Sequence, residues 1–244
     1  MAASTARMAG IRSDELQTKR EIARAFFAQG SPRVITLVVA CAVAVRLVVG
    51  RWGWTDLFVL MVTGVAVGIV EWVLHRHLLH APEASWTSRR LGTGSGHRRH
   101  HLDPPDLQWL LLRREDAAVF SVLIAVGSCL WVIPLAALAG TWIESVGILA
   151  PTLTALLVAY LALGHYEWTH LLEHTRYRPK TRYYARLVRN HRLHHYRNEH
   201  FWLGITSNLG DRVLGTYPAT KSGVPLSDTA RTLVSEVTEV SDSL

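Results

Sequence analysis

The sequence predicts an all-α membrane protein with four transmembrane helices and a polar helical cap. Hydrophobic residues make up 49% of its 244 positions and charged residues only 18%, a balance that favours one membrane domain with polar extensions. The hydrophobic residues are concentrated in four runs, and all 13 histidines fall in or beside four short clusters. Together these two patterns define the expected architecture and its chemistry.

The chain begins with a polar segment, residues 1–32, in which residues 13–28 are predicted to form an exposed or surface-lying helix. Ser13 is a suitable N-cap for this helix, and the Ser31-Pro32 pair is expected to end it. No apolar core precedes a small-residue cleavage site, so the segment does not resemble a secretory signal peptide.

Four apolar runs are predicted to cross the membrane: residues 34–49, 57–74, 117–139 and 145–164. The last two are long enough for the ~30 Å hydrocarbon layer. Their Pro134 and Pro151 are tolerated because neighbouring helices satisfy the freed carbonyls. The first run is short and contains Arg46, so its ends are expected to reach towards the interface. A buried core helix explains any one run equally well, but four runs in one chain favour membrane helices. Cys41 and Cys129 lie within the runs and indicate neither a disulfide nor a thiolate metal site.

The segments between the runs differ in length and charge. Residues 50–56 and 140–144 are short enough for tight turns, whereas residues 75–116 and the segment after the fourth run are long and rich in arginine. The positive-inside rule therefore places the long segments, both termini and all histidine clusters in the cytoplasm. The net charge of +7 fits an anionic membrane surface. No nucleic-acid partner is expected, because the arginines are interleaved with the histidines and the runs. Residues 33–217 are assigned to the membrane domain and residues 218–244 to a polar tail.

The histidine clusters have the spacing of metal ligands on helices. Residues 97–101 and 191–195 both contain His-x-x-His-His, and helical offsets of three and four, at about 100° per residue, put these imidazoles on one face. Ten histidines are the candidate ligands: His75, His80, His97, His100, His101, His170, His174, His191, His194 and His195. Ten imidazoles exceed the four ligands of a zinc site and suit two metal ions with about five ligands each. Iron fits dioxygen chemistry at such a centre, whereas zinc has no redox change.

Polar residues near the clusters are expected to support these ligands. A metal-bound histidine commonly donates its second N–H to an acceptor, which sets its tautomer. The candidate supporting residues are Glu71, Glu167, Asn198 and Asp211. An acid near the end of an apolar run, such as Glu71, is costly without a partner.

Four residues in or beside the clusters are not assigned as ligands. Glu173 lies between two candidate histidines and is interpreted as a solvated acid. His77 shares no helix face with both of its neighbours in the first cluster. His165 lies at the end of the fourth run and His200 follows the last cluster, and all three are assigned structural or supporting roles.

The four clusters resemble the histidine boxes of the fatty acid hydroxylase/sterol desaturase superfamily, whose members are integral-membrane oxygenases with a dimetal centre. The resemblance runs from about residue 71 to residue 217 and includes the Asp103-Pro104 pair after the second box. Residues 166–170 are similar to the family's Tyr-Asp-x-x-His segment, with Glu167 in place of the usual Asp. The chain most resembles the fatty acid 2-hydroxylases, which act on the acyl chains of lipids such as ceramides.

The resemblance implies that all ten box histidines bind metal, with two iron ions and O2 as cofactors. Zinc can replace iron in purified or crystallised material. The expected fold is then four transmembrane helices with a cytoplasmic helical cap that holds a histidine-rich dimetal site. The implied reaction is O2-dependent hydroxylation of a C–H bond in the acyl chain of a membrane lipid. Electrons are expected from a separate ferredoxin- or cytochrome b5-like donor, because the chain has no room for a fused one.

Two alternatives follow from the same residues. A carotenoid or sterol-type hydroxylase or desaturase would use the same histidine boxes. From a different class, a metal transporter or metal-binding membrane protein would also be rich in histidine. A transport path needs polar ligands near the bilayer midplane, where this sequence offers only Glu71 and Arg46.

Overall fold

The structure, a computed structural model, describes residues 12–91, 93–138 and 147–227. Within these ranges the chain is helical, and the β pairing is limited to an isolated bridge between Arg12 and Asp106. The α-helices, in chain order, are α1 Lys19–Ala28, α2 Gly30–Val49, α3 Trp54–Leu74, α4 Trp86–Leu91, α5 Thr93–Leu102, α6 Leu107–Leu110, α7 Arg114–Leu138, α8 Leu149–Glu173, α9 Arg182–Tyr196 and α10 Leu209–Val213. A π-helical turn, His75–Leu79, continues α3, and Ser13–Glu15 and Lys221–Gly223 are 3-10 turns.

Four helical segments are long and apolar enough to cross a membrane: Gly30–Val49, Trp54–Leu79, Leu107–Leu135 and Leu149–Glu173. Only 17–28% of the most apolar stretch of each segment is buried, so most of its apolar side chains point outwards, as lipid-facing residues do. The predicted all-α membrane fold is therefore confirmed. The predicted tight turn at 140–144, the start of the fourth run and most of the polar tail lie outside the described residues.

The N-terminal helix starts later than predicted, and the reason is a different cap. Ser13 is fully buried in a 3-10 turn, where its N–H donates to the Pro105 carbonyl at 2.9 Å. Thr18 and Glu21 form a capping box instead, since each side chain accepts from the backbone N–H of the other residue. The Ser31-Pro32 pair does not end this helix. It lies in the first turn of α2, where proline's missing N–H costs nothing.

The described chain forms two compact units, which share the continuous helices α3 and α8. The membrane unit consists of Phe26–Val67 and Leu112–Trp168. The histidine unit consists of the described residues within Met1–Ala25, Gly68–Leu111 and Thr169–Leu244, and it contains all ten candidate ligands.

The membrane unit is tied together by a few buried polar contacts between its apolar helices. Arg46, which interrupts the first apolar run, is only 1% exposed and pairs with Asp56 at 2.7 Å. It also donates to the Thr154 hydroxyl at 2.9 Å and to the Gly50 carbonyl, and it stacks on the Trp52 ring at 3.6 Å. A cation within an apolar segment is tolerated here because every one of these contacts offsets lost hydration.

In the histidine unit, α9 presents one apolar and imidazole-bearing face to the interior. Thr181 caps the helix by accepting from the Tyr184 N–H. The buried positions of α9 are Leu187, Val188, Asn190, His191, His194 and His195, a helical stripe with spacings of three and four. The arginines of α9 occupy most of the opposite face, so the helix periodicity itself directs the histidines inwards.

Candidate metal centre

The structure brings the ten candidate histidines into two sets of five. Set A contains His75, His80, His97, His101 and His194, and set B contains His100, His170, His174, His191 and His195. Within each set, one ring nitrogen of every member lies within 4.8 Å of all the others. This division agrees with the predicted number of ligands per metal, and ligation itself stays a prediction.

Each His-x-x-His-His box is divided between the two sets in the same way. In α5 the i and i+4 residues, His97 and His101, belong to set A, and the i+3 residue, His100, belongs to set B. In α9 the i and i+4 residues, His191 and His195, belong to set B, and His194 belongs to set A. Around the helix axis, the i+4 residue lies about 40° to one side of residue i. The i+3 residue lies about 60° to the other side of residue i, away from the i+4 residue. One helix can therefore serve two neighbouring positions.

The π-helical turn at the end of α3 aligns the two histidines of the first cluster. In a regular α-helix, residues five apart point about 140° away from each other. Here the His80 N–H donates to the His75 carbonyl at 3.0 Å, an i to i+5 bond that widens the turn. As a result the two rings stack with centroids 5.0 Å apart.

The ring nitrogens converge in a way that hydrogen bonding cannot satisfy. His75 donates its Nδ1 proton to the Leu203 carbonyl at 2.5 Å, and His194 donates to the Phe201 carbonyl at 3.0 Å. A neutral imidazole carries one proton, so the Nε2 atoms of both rings present lone pairs. The Nε2 of His97 lies 3.2 Å from that of His75, 3.1 Å from that of His80 and 3.1 Å from that of His101. One proton cannot serve three such contacts, whereas a cation at the centre of the set would be bound by all of these lone pairs.

The spacing of these nitrogens suits a transition-metal ion. Metal–nitrogen bonds of about 2.0–2.1 Å place neighbouring ligands roughly 2.9 Å apart at right angles and about 3.4 Å apart at tetrahedral angles. The close Nε2 pairs of the two sets are separated by 2.7–3.2 Å. In set B the buried Nε2 atom of His100 has no hydrogen-bond partner in the described structure. The donor atoms therefore fit two metal ions.

Burial keeps the imidazoles in the form that binds metal. Loss of hydration is the largest cause, followed by repulsion between neighbouring rings, and it lowers the pKa of the cluster histidines outside the membrane segments: His80, His97, His100, His101, His174, His191 and His195. Burial also lowers the pKa of His194 to about 4, although the bond to the Phe201 carbonyl opposes this shift. These rings are neutral at pH 7, so metal binding requires no deprotonation.

The comparison with known protein families agrees with this geometry. The family model described as Fatty acid hydroxylase matches residues 58–216, about two thirds of the 244-residue chain. The chain belongs to the fatty acid hydroxylase family. No curated protein and no solved structure matches it significantly.

In this fatty acid hydroxylase family member, one loop of the histidine unit orients set A through its backbone. Residues 201–206, here called the carbonyl loop, supply the Phe201 and Leu203 carbonyls that accept from His194 and His75. Backbone acceptors of this kind set the tautomer and the direction of a metal ligand. Sequence reasoning missed them, because a carbonyl belongs to every residue and carries no side-chain signal.

Two of the predicted supporting acids hold the carbonyl loop instead of touching a histidine. Glu71 accepts from the backbone N–H groups of Ile205 and Thr206, the latter at 2.9 Å, and from the Thr206 hydroxyl. Asp211 accepts from the N–H groups of Leu203 at 2.9 Å and Gly204 at 2.8 Å. Their support of the metal ligands is therefore indirect, through the position of the loop.

Packing against Trp72 fixes the other side of this loop. The Trp72 indole donates to the Thr216 hydroxyl at 2.7 Å, and that hydroxyl donates to Asp211 at 2.6 Å. A Cβ added at Gly210 would collide with the Trp72 side chain, and one added at Gly204 would collide with the backbone of Ser207. Glycine is required at both positions because the chain passes too close for any side chain.

The other two predicted supporting residues make contacts of a different kind. Glu167, in the membrane unit, accepts from the Ser31 hydroxyl at 2.7 Å and from the Leu112 N–H. It links α8 to the start of α2 there. Asn198 accepts from the His200 N–H at 3.0 Å and donates to the Pro225 carbonyl at 3.1 Å, so it shapes the turn after α9. The expectation that these two groups bond directly to the ligand histidines does not match these hydrogen bonds.

The interpretation of Glu173 as a solvated acid is wrong. The residue is 2% exposed, and its carboxylate lies 3.7 Å from Nδ1 of His191 in set B. The remaining histidines lie outside both sets, as expected: His77 packs edge-on against Trp72, and the His200 side chain is 62% exposed. Helix periodicity does indicate the inward face at Glu173, because it follows His170 by three residues.

Proposed function

We propose that this protein is a membrane-bound, O2-dependent di-iron oxygenase that hydroxylates a C–H bond in the acyl chain of a membrane lipid. The observation that carries the proposal is the convergence of ten neutral imidazoles into two sets of five. Five nitrogen donors per ion exceed what tetrahedral zinc uses, and they suit iron with a position left for a further ligand. Membership of the fatty acid hydroxylase family supports oxidation of a lipid as the reaction type.

The two iron ions, when bound, would supply the binding and reduction of dioxygen. The overall reaction consumes the lipid C–H, one O2, two electrons and two protons, and it yields the lipid alcohol and one water. The electrons come from a separate donor of the ferredoxin or cytochrome b5 type, because no residue of the described site is a redox carrier for this purpose.

The chain's own contribution is to position the ligands and exclude water. Eight of the ten candidate ligands are buried, and His80 and His174 are partly buried. The carbonyl loop holds the Nδ1 protons of His75 and His194, so that their Nε2 atoms point at set A. Fixed ligands and a dry site favour an oxidising reaction, since water would compete for the open coordination position.

The lipid as substrate class is supported by the membrane helices that lead into the ligands. His75 follows α3 directly, and His170 lies in the last turn of α8, so two candidate spans end in metal ligands. We assign the histidine unit to the cytoplasmic side, because its segments are rich in arginine and the positive-inside rule associates such segments with that side. An acyl-chain hydroxylase of the 2-hydroxylase type is the specific form that we propose, on the resemblance of the histidine boxes.

A carotenoid or sterol-type oxygenase would have the same two sets, so only the product separates it from an acyl hydroxylase. A metal transporter is less well supported. The ligands gather in two mostly buried sets, and the buried charged pair of the membrane unit, Arg46 and Asp56, is engaged in contacts within that unit. A transport path needs accessible ligands along the span.

The experiment combines metal analysis with lipid mass spectrometry. Cells producing the wild-type protein should accumulate a lipid that is heavier by one oxygen atom, and the purified protein should contain two irons per chain. His194→Ala should abolish the product, whereas His200→Ala, which changes an exposed histidine outside both sets, should retain it. One zinc per chain with unchanged lipids would refute the proposal, and a hydroxylated carotenoid or sterol would identify the alternative oxygenase.

A further inference from the structure

The two histidine sets differ in what lies behind their rings. In set A, the Nδ1 atoms of His75 and His194 donate to backbone carbonyls, which are neutral acceptors. In set B, the group next to Nδ1 of His191 is the carboxylate of Glu173, whose Oε2 lies 3.7 Å away. The side chains of both residues are almost completely buried, at 1% and 0% exposure.

Neither partner of this close approach is satisfied elsewhere. Both carboxylate oxygens of Glu173 and Nδ1 of His191 are buried and have no hydrogen-bond partner in the described structure. A buried carboxylate without a hydrogen bond costs several kcal/mol. Set A shows that the same fold can provide acceptors without a charge. The buried carboxylate of Glu173 therefore requires a hydrogen-bond donor or a positive charge close to it.

We propose that Glu173 is a positioning residue that accepts the Nδ1 proton of His191 and makes the set B metal position electrostatically different from the set A position. A shift of less than about 1 Å brings the two groups to hydrogen-bond distance. The inference rests on the proposed metal centre and goes beyond it, because it assigns a distinct property to each of the two positions.

The physical reason is charge balance. Two divalent ions bound by ten neutral rings bring four positive charges into a buried site, and ligand histidines alone offset none of them. A carboxylate behind an imidazole raises the basicity of its metal-binding nitrogen and fixes the ring direction. Set B should therefore bind a divalent ion more tightly than it would with a neutral acceptor, typically by about 10–100-fold.

The test measures metal retention and needs no activity. Protein loaded with zinc, which lacks redox chemistry, is titrated with a competing chelator, and the zinc that remains per chain is counted. Glu173→Gln keeps an acceptor oxygen without the charge, and Glu173→Leu removes the acceptor as well. We expect one of the two zinc ions to be released about 10-fold more readily in the first variant and up to about 100-fold more readily in the second.

Two controls assign the effect to set B. Glu83→Gln neutralises an acid whose side chain is 70% exposed and pairs with Arg98, and it should leave zinc retention unchanged. In a His75→Ala background, which disables set A, Glu173→Gln should still weaken the remaining zinc. In a His195→Ala background, which disables set B, it should have no effect.

A purely structural role for Glu173 predicts another pattern. Replacing an unpaired buried acid with leucine should leave the melting temperature of the metal-free protein equal to or above that of the wild type, while zinc affinity falls. A structural role would lower both together, and that result would overturn the inference, as would equal chelator curves for wild type and Glu173→Gln. If the wild type retains two zinc ions but Glu173→Gln behaves identically, only this inference fails. If the wild type binds no metal pair, the proposed function fails with it.

Discussion

Replacing Glu71 with alanine is expected to release the carbonyl loop and to lower the melting temperature of the purified protein. The Glu71 carboxylate is buried and accepts from the N–H groups of Ile205 and Thr206 and from the Thr206 hydroxyl. Alanine leaves two backbone donors without an acceptor, each at a cost of about 1–3 kcal/mol. The free energy of unfolding should therefore fall by roughly 2–6 kcal/mol.

The assay is thermal unfolding of the protein in detergent micelles. For a chain of this size, 1 kcal/mol shifts the melting temperature by about 2–4 °C, so the expected drop is roughly 4–24 °C. Glu71→Gln retains one acceptor oxygen and should show a smaller drop. Glu83→Gln changes an exposed acid and should melt with the wild type.

A second measurement follows from the position of the loop. When the Leu203 and Phe201 carbonyls move, His75 and His194 lose the acceptors that orient them. Zinc bound at set A should then be released more readily in Glu71→Ala, with zinc at set B retained. A melting temperature within about 2 °C of the wild type would refute the reasoning, because that change corresponds to less than one lost hydrogen bond.

Two further predictions concern charge. Burial lowers the pKa of the cluster histidines below the unfolded value of about 6.5, so below that pH these rings bind more protons in the unfolded chain than in the folded one. The melting temperature of the metal-free protein should therefore fall as the pH drops from 6.5 through the pKa of His194 at about 4. A melting temperature that rises on acidification would contradict this sign. Arg46→Met leaves the buried Asp56 carboxylate without its partner and should lower the free energy of unfolding by about 3–5 kcal/mol. The double variant Arg46→Met/Asp56→Leu should recover most of this loss. If the double variant melts below the single one in the same thermal assay, the ion pair itself is stabilising and this prediction is wrong.

Much of the fold followed from the apolar runs, and the departures have local causes. The α2 span is longer than its run, because Gly30 and Pro32 fit a helix start and Arg46 is neutralised by a partner ten residues away. The first helix begins at a capping box, and the spacing of Thr18 and Glu21 that forms it can be recognised in the sequence. The contact that holds Ser13 outside this helix involves Pro105, which is far away in the sequence and gives no local signal.

The candidate site was predictable as a collection of residues but not as an arrangement. Helical spacing identified all ten histidines that the structure gathers. It did not divide them between two sets, because the division of each His-x-x-His-His box depends on where neighbouring helices lie. The π-helical turn that stacks His75 on His80 also has no signal in the spacing, since five residues would normally separate two faces.

The amino-acid sequence was enough to predict which histidines come together and that four helices are suited to a membrane, since both depend on residue type and short-range period. Tertiary structure alone decided how the ligands are shared, which backbone carbonyls direct them and which acid lies buried behind His191. The physical reason is that period and propensity act over a few residues, whereas a lone pair is aimed, or a carboxylate desolvated, by segments that meet only after the chain has folded.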